Sequence, residues 1–137
     1  MNMDDFMEYR IACGYSRVFV TLKTASDISV SLVRRCRGAL ECDGTHQIVC
    51  QLSPLTKMLD WYEAHYKTDK EAMEGVLIWR IILDAVMDGT DCPVPYLEYR
   101  KYKTRKGDVV KIRNMFLSRA DDLHILVTMN VKTIKEA

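Results

Sequence analysis

Residues 109–134 read VVKIRNMFLSRADDLHILVTMNVKTI, two runs rich in β-branched and aromatic residues separated by the polar Arg119-Ala120-Asp121-Asp122. Apolar and polar residues alternate at period two, the repeat of a strand with one face on a core and the other in solvent. The spacing predicts strands over Val109–Leu117 and Leu123–Ile134 joined by a hairpin. Upstream, Leu97–Lys103 alternates in the same way, and Lys106-Gly107-Asp108 has the composition of a tight connection. The C-terminal third is therefore expected to be a three-strand antiparallel meander.

Before the turn Asp91-Cys92-Pro93-Val94-Pro95 the period changes to that of helices. Thr68-x-x-Glu71 has the form of a capping box, and Ala72, Met73, Val76, Leu77, Ile81, Ile82 and Ala85 continue it as a mostly buried helix ending near Gly89. Ser53-Pro54 pairs a serine N-cap with a proline at the first helical position, opening a helix with Leu55, Met58, Leu59 and Tyr62 on one face. Gln47–Leu52 reads as a short strand or an extended linker. Ile28, Leu32, Cys36, Ala39 and Leu40 fall at near-helical spacing after a cap at Ser26 or Asp27, with Gly44 as the stop, although residues 28–33 also alternate at period two. Residues 16–24, SRVFVTLKT, alternate as a strand. One strand, two to three helices and a meander define an α+β fold in which helices cover one face of an antiparallel sheet.

The 137 residues suit one domain, with a core over residues 16–134 and an apolar-acidic segment over residues 1–15. That segment docks either on its own domain, as tied-down termini usually do, or on a neighbouring copy. No apolar run reaches the roughly 18 residues of a membrane span. The start Met1-Asn2-Met3-Asp4-Asp5 is acidic where a signal peptide is basic, so secretion is not expected. An odd set of five cysteines fits reduced thiols in cytoplasm or nucleus better than a disulfide framework.

A formal net charge of +1 hides a segregation along the chain: eight acids against four bases over residues 53–91, then seven bases against two acids over residues 96–113. Within the second stretch Arg100, Lys101, Lys103, Arg105 and Lys106 interleave with tyrosines, a composition suited to tracking a polyanion. Arg34, Arg35 and Arg37 form a smaller basic cluster on the first helix, with residues 34 and 37 sharing a face. Packing of that helix beside the hairpin would merge the two clusters into one patch.

Cys36, Cys42, His46 and Cys50 are four potential zinc ligands within fifteen residues. Their spacing misses the tight two-cysteine knuckle, and a buried thiol requires no metal, so they are read as structural and no metal or cofactor is assigned. The histidines His46, His65 and His124 stand in no nucleophile signature, and no Gly-rich loop precedes a Lys-Ser/Thr pair. The chain is expected to bind or assemble rather than to catalyse.

The order of elements, from Arg17-Val18-Phe19-Val20-Thr21-Leu22 through Gly75–Leu83 and Asp88–Pro95 to Leu123–Val131, resembles the globular domain of rhabdovirus matrix proteins. The chain departs from that family in its acidic start and in having no Pro-Pro-x-Tyr motif. The resemblance implies a non-enzymatic viral structural protein that self-associates and lies between ribonucleoprotein and the inner face of a membrane in the host cytoplasm. It would give lipid and nucleocapsid contact to Lys101, Lys103, Arg105 and Lys106, and self-association to Phe6, Tyr9 and Ile11. The alternative expectation is a regulatory protein that binds nucleic acid through the same 96–113 hairpin.

Overall fold

A computed structural model describes residues 23–95, 97 and 101–134, and it has the expected α+β architecture. Helix α1 (Lys23–Arg35) runs into a 3-10 turn (Arg37–Glu41), strand β1 (Gly44–Gln51), helices α2 (Ser53–His65) and α3 (Lys70–Met87), a short strand β2 (Cys92–Pro93), and strands β3 (Lys101–Lys103), β4 (Val109–Arg119) and β5 (His124–Ile134). Most of the strand expected over residues 16–24 lies outside the described residues. Its last two positions, Lys23 and Thr24, open α1 instead.

The sheet is antiparallel with order β1-β5-β4-β2, and β3 shares the outer edge of β4 with β2. The expected meander is present as β3-β4-β5. The ambiguous segment before Leu52 is a full strand: Gly44–Gln51 pairs residue for residue with β5, from Gly44 opposite Val131 to Gln51 opposite His124. Cys92 and Pro93, read as part of a turn, pair with Leu117 and Phe116. Pro93 is tolerated there because an edge position asks for no donor on its outer side.

One irregularity sets the faces of β4. Arg113 pairs with Asn130 but Phe116 with Thr128, so β4 carries one extra residue, and Asn114 adopts φ +51° there. The bulge switches parity, so Val110 and Ile112 before it and Met115 and Leu117 after it all face the core. Ile125, Val127, Met129 and Val131 of β5 complete that inner face.

Helix α3 is the central core element, with Ile78, Trp79, Ile82, Ala85 and Val86 fully buried. Trp79 Nε1 donates to the Ala25 carbonyl at 3.0 Å, and Ser29 Oγ donates to the same oxygen at 3.0 Å, so the buried indole is satisfied by α1. Gly75 allows this approach, since a Cβ there would sit 2.7 Å from the Ala25 nitrogen. Leu77, expected among the buried residues, is 44% exposed, because the buried stripe of α3 turns away from it.

Two helix starts differ from expectation by one residue. Asp69, in extended conformation, accepts from the Ala72 amide at 3.1 Å, so it caps α3 in place of the Thr68 box. Leu52 is already helical and its carbonyl accepts from Leu55 and Thr56, which leaves Ser53 inside the first turn of α2 rather than at its cap. The Leu52 amide donates to the Leu123 carbonyl at 2.9 Å, and that bond fixes where the helix begins. No described helix is long and apolar enough to cross a membrane.

Candidate polyanion-binding site

The β3–β4 hairpin owes its shape to Thr104 and Gly107. The Thr104 amide donates to the Asp108 carbonyl at 2.8 Å, its hydroxyl accepts from the Asp108 amide at 3.1 Å, and Gly107 takes φ +90°. Only a residue without Cβ adopts that conformation freely. The hairpin holds Lys101, Lys103, Arg105 and Lys106 exposed. Its tip is tied to the rest of the domain by Glu41, whose carboxylate accepts from the Arg105 amide at 2.9 and 3.2 Å. At the neighbouring edge, Asp43 Oδ1 accepts from the amide and hydroxyl of Thr133 at 2.9 and 2.6 Å.

These ties bring the two basic clusters together. Arg34 and Arg37, from α1 and the 3-10 turn, line a cleft of about 250 Å³ with Lys101 and Lys103 of β3, over a floor that includes Val33 and Leu40. Among the described residues none of these four cations stands in an ion pair. Arg35, expected in the same patch, does not line the cleft; its charge acts on the Cys36 and Cys50 thiols. Arg105 and Lys106 are exposed on the hairpin but do not line the cleft either. Arg100, Phe6, Tyr9 and Ile11 lie outside the described residues.

The register adds cations that no local pattern reveals. Lys101 pairs with Lys111, and Lys111 pairs with Lys132, so three lysines form a row across β3, β4 and β5 on the face opposite the core. Opposed residues have Cβ atoms roughly 5 Å apart, and like charges so placed destabilise the sheet. Arg113, two residues along β4, is exposed on the same face. Lys132 was invisible as a site residue because only the β4–β5 pairing sets it beside Lys111.

Tyr102, between the two cleft lysines, is half-buried: it packs against the core and also lines the cleft. A larger open groove of about 610 Å³ between α1 and α2 shares Arg34, but Asp27 and Lys57 balance each other on its walls.

The cysteine and histidine cluster is split. The Cys36 and Cys50 sulfurs are 3.9 Å apart, whereas His46 Nε2 donates to the Cys42 carbonyl at 2.6 Å. Among the described residues no three His, Cys, Asp or Glu side chains are placed to hold a metal ion. His65 Nδ1 is 2.8 Å from the Trp61 carbonyl, and its ring stacks on Trp61 with centroids 4.4 Å apart. His124 Nδ1 lies 2.8 Å from an Asp121 carboxylate oxygen. The Leu123 amide, donating at 2.8 Å, and His124 hold the Asp121 carboxyl below its usual range.

No protein-family model, curated protein or solved structure matches the chain.

Proposed function

We propose that this chain is a non-enzymatic, matrix-like assembly protein that self-associates and docks on the anionic inner surface of a membrane, bridging it to ribonucleoprotein. The observation that carries the reading is the convergence of Arg34 and Arg37 with Lys101 and Lys103 on one cleft, continued by Lys111 and Lys132 across the sheet. Segments some sixty residues apart in sequence supply these cations, and their mutual repulsion is relieved when an anionic surface covers them. Each Lys or Arg near an anionic leaflet contributes about 1 kcal/mol, so four of them amount to roughly three decades of partitioning. Self-association through Phe6, Tyr9 and Ile11 belongs to the same reading.

Lipid is favoured over single-stranded nucleic acid because, among the described residues, the cleft sets four cations beside one half-buried ring, Tyr102. Sequence-tolerant binding of single strands draws about 1–3 kcal/mol per base from exposed rings. A phosphate or head-group contact needs only the cations.

Flotation with phosphatidylserine vesicles at two salt concentrations tests this, with light scattering for oligomer size. The expected result is salt-sensitive flotation of an oligomeric wild type, lost in a Lys101/Lys103/Lys111/Lys132→Ala variant whose circular dichroism is unchanged. A folded monomer that ignores vesicles at low salt overturns the proposal. If that monomer binds RNA oligonucleotides with a steep salt slope, the regulatory nucleic-acid reading takes its place.

A further inference from the structure

Cys36 closes α1 at its junction with the 3-10 turn and is 2% exposed, while Cys50 is half-buried on β1 opposite Ile125. Fourteen positions apart in sequence, their sulfurs approach to 3.9 Å, with the Arg35 guanidinium acting on both. Bond formation requires the sulfurs to close by roughly 2 Å, to the disulfide length of about 2.05 Å. The other described cysteines lack this arrangement: Cys42 is exposed, and Cys92 is buried with its sulfur against the Thr90 carbonyl.

We propose that Cys36 and Cys50 are a peroxide-sensitive thiol pair that closes into an intramolecular disulfide, joining the end of α1 to β1. The chemistry starts at Cys50, the more accessible sulfur. The hydrogen bond with the Cys36 thiol, aided by Arg35, lowers its pKa to about 7 and favours the thiolate. The thiolate attacks one oxygen of hydrogen peroxide, the O–O bond breaks, and Cys50 becomes a sulfenic acid with loss of hydroxide. The Cys36 sulfur, giving up its proton, then attacks the Cys50 sulfur; the S–S bond forms and hydroxide leaves as water. Two thiols and one peroxide thus yield one disulfide and two waters. Arg34 and Arg37 flank Cys36, so the crosslink anchors the arginine wall of the cationic cleft to the sheet.

The experiment uses the full chain, reduced, freed of reductant and treated with one equivalent of hydrogen peroxide. Intact mass and a non-reducing peptide map are read on wild type, Cys42→Ser and Cys50→Ser, with circular dichroism confirming each fold. Wild type and Cys42→Ser should lose two hydrogen atoms in mass and give a linked Cys36–Cys50 peptide, restored by dithiothreitol. Cys50→Ser should show no such link. A dominant linkage through Cys42 or Cys13, or stable sulfinic acid at Cys50 with Cys36 still free, would overturn the proposal. A Cys36→Ser variant, which keeps a hydrogen-bond donor beside Cys50 but cannot form the disulfide, should trap Cys50 sulfenic acid for dimedone labelling, and absence of labelling in that folded variant refutes the order of steps.

Discussion

Lys111 of β4 stands directly opposite Lys132 of β5, and Lys101 of β3 stands directly opposite Lys111 on its other side. Like charges in opposed positions cost roughly 0.2–1 kcal/mol per pair. Lys132→Gln should therefore stabilise the isolated protein by about 0.5 kcal/mol in urea unfolding while weakening its retention on anionic vesicles about tenfold or less. Opposite signs in the two assays are required. If the variant both unfolds more readily and floats normally, the lysine row is not the docking face.

Gly75 is the point where α3 meets the N-terminal turn of α1, and an added Cβ would also come within 2.9 Å of the Thr24 Cβ. In a free helix Gly→Ala gains about 1 kcal/mol. Here a backbone nitrogen blocks the methyl, and overpacking of this kind costs about 1–3 kcal/mol. Gly75→Ala should lower the urea midpoint, and a raised midpoint would show that the helices separate without cost.

Asn114 sits in the left-handed region at the β4 bulge, where Asn and Gly are tolerated and β-branched residues are not. Asn114→Gly should change stability by only a few tenths of a kcal/mol, whereas Asn114→Val should lose about 1–2 kcal/mol. Thermal unfolding of the two variants compares them. Equal stability would place the bulge elsewhere.

The Cys36–Cys50 pair also predicts a pH profile. Cys50 is depressed from the ordinary 9.0 to about 7, chiefly by the hydrogen bond from Cys36, so its rate of alkylation by iodoacetamide should rise through pH 7. Cys92, raised to about 11 by burial and by Asp91, should stay unlabelled in the folded protein over that range. The sign for stability follows. A depressed acid adds stability that is complete above its unfolded value, declines as pH falls from 9.0 and is gone below about 7. Cys36, raised by the same hydrogen bond and by burial, opposes this above pH 9.0. Urea midpoints should thus rise between pH 7 and 9 in wild type and less so in Cys50→Ala.

Glu41 makes a mechanical prediction. Its carboxylate holds the Arg105 amide at the tip of the hairpin, so Glu41→Ala should raise hydrogen exchange at Arg105 while leaving Trp79 and the core protected. Unchanged exchange at Arg105 would mean that the Thr104 turn alone orders the tip.

Much of the architecture follows from period and composition. The α3 stripe around Val76, Ile82 and Ala85, the α2 face of Leu55 and Leu59, and the meander at Lys101–Ile134 are local patterns, because burial acts on side chains that repeat with the element's own geometry. The α1 face of Ile28 and Leu32, with Cys36 and Leu40 beyond it, was legible for the same reason. Less visible were β1, whose Thr45, Gln47, Val49 and Gln51 face outward and dilute its apolar signal, and β2, which exists only because β4 offers an edge. The cap shifts at Asp69 and Leu52 depended on which neighbour supplied the nearest acceptor or donor.

The site divides along the same line. Linear charge segregation, which depends on sequence neighbours alone, identified Lys101 and Lys103. The α-helical spacing expected to set Arg34 and Arg37 on one face is broken after Arg35, and Arg37 stands in the 3-10 turn. That the four share a cleft, that Arg35 joins the thiols instead, and that Lys132 lies beside Lys111 were decided by tertiary structure. The physical reason is that period and propensity act within a turn or a strand. Cross-strand register and the 3.9 Å meeting of Cys36 with Cys50 depend on how distant segments fill one core, bulge included.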